Sequence, residues 1–261
     1  MTTLVPTATS ATSATRRLVG LEIAIVLALT FGRSGVSALL SLIEKLTRPE
    51  PLSQQTTSMN TSATPDRPWL SLAYQVYNWI FPLAGVLLVL YLLHLAHGHA
   101  RRLIGFDLAR PARDPLYALG LLAAVGVPGL GFYFLARQLG INTSVSAANL
   151  GAVWWAVPAL VVSALVAGLS EETVMLGYLV TRLKDLNWRP WAAIALSAGV
   201  RGSYHLYQGF GGFAGNVVMG VVFGWCYNRW GRVLPLVLAH ALMDVFAFVG
   251  YALLQPHVPW L

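Results

Sequence analysis

Charge is what this sequence has least of. Asp, Glu, Lys and Arg make up 10% of its 261 residues, against about 25% in soluble domains. That scarcity excludes a soluble globular enzyme, and a 56% hydrophobic content excludes disorder for the bulk of the chain. There is one cysteine, Cys226, in an apolar run, so neither an intramolecular disulfide nor a cysteine-based metal cluster can form. Acidic residues number 10 against 17 Lys and Arg, for a net charge of +7. In a soluble protein that excess would suggest a nucleic-acid partner. Here basic loops beside membrane helices account for it, and no nucleic acid is expected. No internal repeat is visible, which argues against an inverted-repeat transporter. The first long apolar run exceeds a signal-peptide core and lacks a cleavage site, so it is expected to be retained as a helix.

What is present is a series of apolar runs long enough to span a bilayer, for which about 20 residues suffice. Residues 1–17, rich in Thr, Ser and Ala, read as a disordered tail. Spans are expected over about 18–46, 69–97, 115–136, 153–183, 190–207, 213–228 and 233–254, with a polar, proline-punctuated loop at 47–68. The fold class is therefore all-α, a polytopic membrane bundle of about seven helices. Residues 18–149 form an N-terminal three-helix region, 150–254 a core of helices four to seven, and 255–261 a tail. With the N-terminus in the cytoplasm, the inside positions hold Arg16, Arg17, Arg101, Arg102, Arg110, Arg113, Arg182, Lys184, Arg189, Arg229 and Arg232. The outside positions hold only Lys45, Arg48, Arg67 and Arg137. This positive-inside bias places the C-terminus outside. The composition and short loops fit a bacterial plasma membrane.

Ionisable residues inside spans are costly and each needs a reason. The last four helices carry Glu171, Glu172, Arg201, His205, His240 and Asp244. At 1.5 Å per residue, Glu171 lies about 18 Å from the cytoplasmic end of its helix. Arg201 and His205 lie about 17 and 23 Å in, and His240 and Asp244 about 11 and 17 Å. The helices alternate in direction, yet these groups fall in one layer. His240 and Asp244 are i, i+4 and share a face, as do Arg201 and His205. Adjacent Glu171 and Glu172 are about 100° apart, so only one can point at a shared centre. A carboxylate beside two imidazoles can take a proton from water while the histidines position that water or stabilise an oxyanion. Alternatively Glu, His and His hold a divalent metal that acidifies the water. Either reading gives a hydrolase without a Ser or Cys nucleophile.

Other polar residues have plainer explanations. His94, His97, His99 and His257 fall at helix ends or in the tail, and Arg33 with Glu22 or Glu44 reads as structural pairing or snorkelling. Trp69, Trp188, Trp191, Trp230 and Trp260 read as interfacial anchors. Gly209, Gly211, Gly212, Gly215 and Gly220 fit close helix packing and a tight turn.

Three segments carry a resemblance: Ser170-Glu171-Glu172-Thr173-Val174-Met175-Leu176-Gly177-Tyr178, then Tyr204-His205, then His240-Ala241-Leu242-Met243-Asp244. In order and spacing they resemble the motifs of the CPBP family, the type II CAAX prenyl proteases and bacteriocin-processing enzymes, over about residues 150–250. The resemblance implies an intramembrane endopeptidase acting on a peptide or membrane-protein substrate. It implies Glu171 as catalytic glutamate with Glu172 as partner, His205 beside Glu171 in activating water, and His240 with Asp244 supporting the oxyanion. It also implies a metalloprotease, in which Glu171, His205 and His240 would hold one ion, zinc by preference, although a metal-free mechanism uses the same residues. Two positions depart from the family pattern. Its Glu-Glu-x-x-x-Arg has Leu176 in place of Arg, and its Phe-x-x-x-His has Arg201 in place of Phe. The exchange suggests that Arg201 supplies the missing guanidinium to Glu172. Two alternatives follow if it does not: an inactive family member serving as a binding or scaffold protein, and a proton-coupled carrier relaying through Glu171, His205 and His240.

Overall fold

A computed structural model describes residues 13–255 and 257. The tail expected over 1–17 lies outside the described residues as far as residue 12, as does Trp260 and most of the expected C-terminal tail. From Ser13 onward the chain is already helical, so that expectation is corrected for 13–17. Seven helices follow: α1 (Ser13–Leu46), α2 (Pro68–His97), α3 (Arg113–Gln138), α4 (Ala156–Asp185), α5 (Pro190–Ser203), α6 (Phe210–Trp230) and α7 (Leu234–Leu254). Prolines stand in the first turns of α2, α5 and α7, where their missing N–H costs nothing. Gly98 and Gly231, at φ 79° and 66°, stop α2 and α6. Six of the seven are long and apolar enough to cross a membrane; the chain is an integral membrane protein.

The exception is α5, expected to run to residue 207 but ending at Ser203. Its 14 residues rise only about 21 Å. The pass is completed by a turn over 204–209 that reaches the face where α1 and α3 end. There Lys45 Nζ donates to the Tyr207 carbonyl at 2.5 Å, and the Thr143 N–H to the Gln208 carbonyl at 2.9 Å. Alternation of seven passes is kept, with the fifth part helix and part turn.

Two faces result. On one, loops the sequence left without structure meet as a parallel pair, β1 (Thr56–Ser58) and β2 (Ser144–Ser146), in register from Thr56↔Ser144 to Ser58↔Ser146. With the 204–209 turn they form a cap. The opposite face gathers the basic loops and is tied by ion pairs. Arg182 grips Glu22 through Nε and Nη2 at 3.0 and 2.9 Å and reaches Asp185 at 2.8 Å. Asp185 also meets His97 at 3.1 Å. Arg232 pairs with Asp114 at 2.6 Å and Asp107 at 2.9 Å. The Ala109 N–H and Arg232 hold the Asp107 carboxyl below its ordinary range. Glu22 and Glu44 thus pair elsewhere, Glu44 with Arg48, and Arg33 is exposed.

The core centres on α4, in which every residue from Glu172 to Val180 is buried. It packs along α7, and α5 along α6. Small residues permit both contacts: a Cβ on Gly168 would lie 2.8 Å from the Ala241 nitrogen, and one on Gly220 would lie 2.9 Å from the Ala198 Cα. Helices α1, α3 and α4 each carry a widened π segment, at Ala28–Gly32, Leu122–Gly126 and Thr173–Val180. Such segments are frequent at functional sites, and the third begins directly after the two glutamates.

Candidate active site

Glu171 and Glu172 sit midway along α4, immediately before its π segment. Arg201 is in the last turn of α5, His205 in the turn beyond it, and His240 and Asp244 midway along α7. Glu171, His205, His240 and Asp244 line one cavity of about 210 Å³. Glu172 and Arg201 lie behind it, buried.

The adjacent glutamates have separate surroundings. Glu172 is wholly enclosed, and its Oε1 accepts from both Arg201 Nη2 and His240 Nδ1, the latter at 2.7 Å. Its Oε2 is buried with no hydrogen-bond partner among the described residues. Glu171 keeps 14% of its side-chain surface exposed. Tyr204 donates its hydroxyl to Glu171 Oε2 at 2.7 Å, and Arg201 Nη1 stands 3.6 Å from that oxygen. The guanidinium therefore spans both carboxylates, closely paired with Glu172 and within electrostatic reach of Glu171. The exposed carboxylate is left for chemistry and the buried one for holding Arg201 and His240 in place.

The imidazoles are oriented by their Nδ1 atoms. His205 Nδ1 lies 3.0 Å from the Arg201 carbonyl. A carbonyl only accepts, so Nδ1 carries the hydrogen and Nε2 is left with its lone pair. This bond also satisfies one of the carbonyls that the end of α5 leaves without a helical partner. His240 gives Nδ1 to Glu172, which leaves Nε2 3.6 Å from Asp244 Oδ2. The i, i+4 pair shares a face as expected, but the hydrogen bond that fixes His240 comes from α4.

Glu171, His205 and His240 do not converge on one point in a metal-binding arrangement. Among the described residues, no three His, Cys, Asp or Glu side chains are disposed to hold one ion. The Arg201 guanidinium beside Glu171 adds a positive charge where a divalent cation would have to sit. The donor set as arranged does not fit a metal.

Several site residues were not singled out from the sequence. Tyr204 was read only as part of a motif, yet it binds Glu171 and stacks on Phe31 of α1 at 4.8 Å. Met59 from the cap, Gln208 and Asn216 also line the cavity. Asn216 had a usable signal, being a polar residue within an otherwise apolar, glycine-rich helix. Met59 had none, because its loop meets the site only through the strand pair. The glycines of α6 pack closely as expected, and Gly209, at φ 108°, makes the tight turn.

A family model described as Rce1-like, type II CAAX prenyl endopeptidase, matches residues 153–246. No curated protein and no solved structure matches the chain. The matched stretch contains all three motif segments and every cavity residue on α4 to α7 except Phe248, and through it the chain belongs to the CPBP family of intramembrane proteases, in its type II CAAX prenyl endopeptidase branch.

Proposed function

We propose that this chain hydrolyses a peptide bond within the membrane using water activated by Glu171. The supporting observation is the division of labour between the two glutamates. Glu172 is consumed by Arg201 and His240, whereas Glu171 faces the cavity with one hydrogen bond from Tyr204. In this reading Glu171 takes the proton from a water in the cavity, and His205 Nε2 accepts a hydrogen bond that orients that water. A proton on His240 Nε2, beside Asp244, is donated to the oxyanion formed as the carbonyl is attacked. Arg201 keeps the carboxylate layer neutralised, and Glu171 returns its proton to the leaving amine. No step is assigned to a metal. We place the protein in a bacterial plasma membrane with its N-terminus in the cytoplasm, as the distribution of Arg and Lys favours.

The test compares purified wild-type and Glu171→Gln protein in lipid nanodiscs against a fluorogenic peptide library, alongside proteomics of membranes bearing each. Gln keeps the shape and removes the base, so cleavage should fall by about 10²-fold or more and uncut precursors should accumulate. Equal turnover by the two proteins would remove Glu171 from the chemistry.

A further inference from the structure

The cavity extends from the site toward only one face of the bundle. Its walls come from the cap, through Met59, Tyr207 and Gln208, and from the cap-side half of α6, through Asn216 and Met219. Phe248, one turn beyond Asp244, lines it on the same side. Nothing from the basic loops contributes. On that other side α4 is buried from Glu172 through Val180, and below it Arg182 locks α1 to α4 through Glu22. Arg232 closes the neighbouring loops by binding Asp114 and Asp107. Within the site, Glu171 and Asp244 keep exposed side-chain surface of 14% and 23%, while Glu172 has none. The site is therefore open toward the cap and sealed toward the basic face.

The faces also differ in charge. The ends of α2, α4 and α6 and the start of α1 carry Arg16, Arg17, Arg101, Arg102, Arg110, Arg113, Arg182, Lys184, Arg189, Arg229 and Arg232, whereas the cap face carries Lys45, Arg48, Arg67 and Arg137. Basic loops stay in the cytoplasm, so the cap lies on the opposite side of the membrane.

We propose that the substrate enters from the non-cytoplasmic side, as an extended peptide segment presented at the outer end of a membrane anchor or of an exported chain. Beside the polar layer the cavity is walled by Met59, Met219, Met243 and Phe248. Flexible thioethers adapt to varied apolar side chains, so the segment is apolar and uncharged around the bond to be cut. Gln208 and Asn216 are the amides available to its backbone. This inference rests on the hydrolase reading for the word substrate, but its test reads access to the cavity rather than turnover.

Single cysteines are introduced at Asn216 and, separately, at Met59, both in the cavity wall. Asp66→Cys marks the cap face and Arg110→Cys the basic face; both native residues are exposed. The wild type, whose one cysteine is the buried Cys226, gives the background. Bacterial spheroplasts are treated with a membrane-impermeant maleimide before and after lysis, in wild-type and Glu171→Gln backgrounds alike. Asn216→Cys, Met59→Cys and Asp66→Cys should be labelled in intact spheroplasts, and Arg110→Cys only after lysis. Labelling of Asp66→Cys only after lysis, or of both markers before it, overturns the orientation. Labelling of Asp66→Cys alone, with both cavity positions reached only by a membrane-permeant maleimide, overturns the route. The expected labelling with no peptide cut leaves the access inference standing and removes the hydrolase reading; cleavage with labelling from the basic face does the reverse.

Discussion

Arg201 on α5 and Glu172 on α4 form an ion pair in which the side chains keep 1% and 0% of their surface exposed. The family pattern has an arginine on α4, four residues after this glutamate, where the chain has Leu176. The guanidinium is present but delivered from the neighbouring helix. A buried carboxylate without a counter-charge is costly, so the pair explains how the chain retains Glu172 while lacking the usual arginine. The position of Gly220 accommodates it, since a Cβ there would lie 3.3 Å from the Arg201 Cδ.

Arg201→Leu should therefore cost about 3–5 kcal/mol, the usual penalty for removing one partner of a buried pair. It should also release His240, which shares the same Glu172 oxygen. Adding Leu176→Arg should restore part of the loss, because positions 172 and 176 lie about one turn apart on α4. A double-mutant cycle on thermal unfolding in detergent and on peptide cleavage measures this. A silent Arg201→Leu, or no recovery in the double variant, would show that the guanidinium is not exchanged between helices.

Tyr204→Phe isolates a smaller interaction. The ring can keep its stack on Phe31, and only the hydroxyl donated to Glu171 is lost. A hydrogen bond to a charged group contributes about 1.5–3 kcal/mol, so kcat/KM should drop roughly 10- to 100-fold, since 1.4 kcal/mol is tenfold. The melting temperature should change far less than in Arg201→Leu. A large fall in stability with unchanged cleavage would make Tyr204 a packing residue alone.

Helix rise explains why the ionisable layer could be read from the sequence. Depth along a helix follows from residue count, so Glu171, Arg201, His240 and Asp244 could be placed together before any coordinates. Rotation about the helix axes cannot be counted in the same way, and it decides which side chains meet. Hence His240 looked toward Asp244 on its own helix, while its hydrogen bond goes to Glu172 on another. His205 was assigned to a helical face; it lies past the end of α5, where its ring caps a carbonyl. The strand pair at Thr56–Ser58 and Ser144–Ser146 is three residues long, too short for alternation to show. Arg182 read as a loop cation because nothing in its neighbourhood announces Glu22, 160 residues away.

Removal of metal ions is the direct test of the donor geometry. Since Glu171, His205 and His240 do not converge, treatment with a chelator should leave both thermal stability and cleavage unchanged, and elemental analysis should find zinc well below one per chain. One zinc per chain, with activity lost on chelation and regained on adding zinc, would show that the three side chains close around an ion.

Gly209 sets the position of the turn that carries Tyr204 and His205. Its backbone, at φ 108° and ψ −176°, lies in a region that only glycine occupies without strain. A Cβ there would stand 2.7 Å from the Ile141 carbonyl oxygen and 3.1 Å from the Asn142 Cα, both backbone atoms that cannot swing aside. Gly209→Ala should thus push the 204–209 turn away from the cap loop, at a cost of roughly 1–3 kcal/mol. The displacement would move the Tyr204 hydroxyl and His205 Nε2 relative to Glu171, and misplacement of about 1 Å can cost 10²-fold in rate. Gly231→Ala provides the comparison. It also has positive φ, 66°, but nothing lies within 4 Å of its added carbon, and it follows α6 on the far side of the bundle from the cap. It should lose roughly 1–2 kcal/mol of stability with cleavage per folded molecule unchanged. Parallel measurements of unfolding and of kcat/KM separate the two substitutions. Equal activity in both variants would show that the turn need not be held by its contact with the cap.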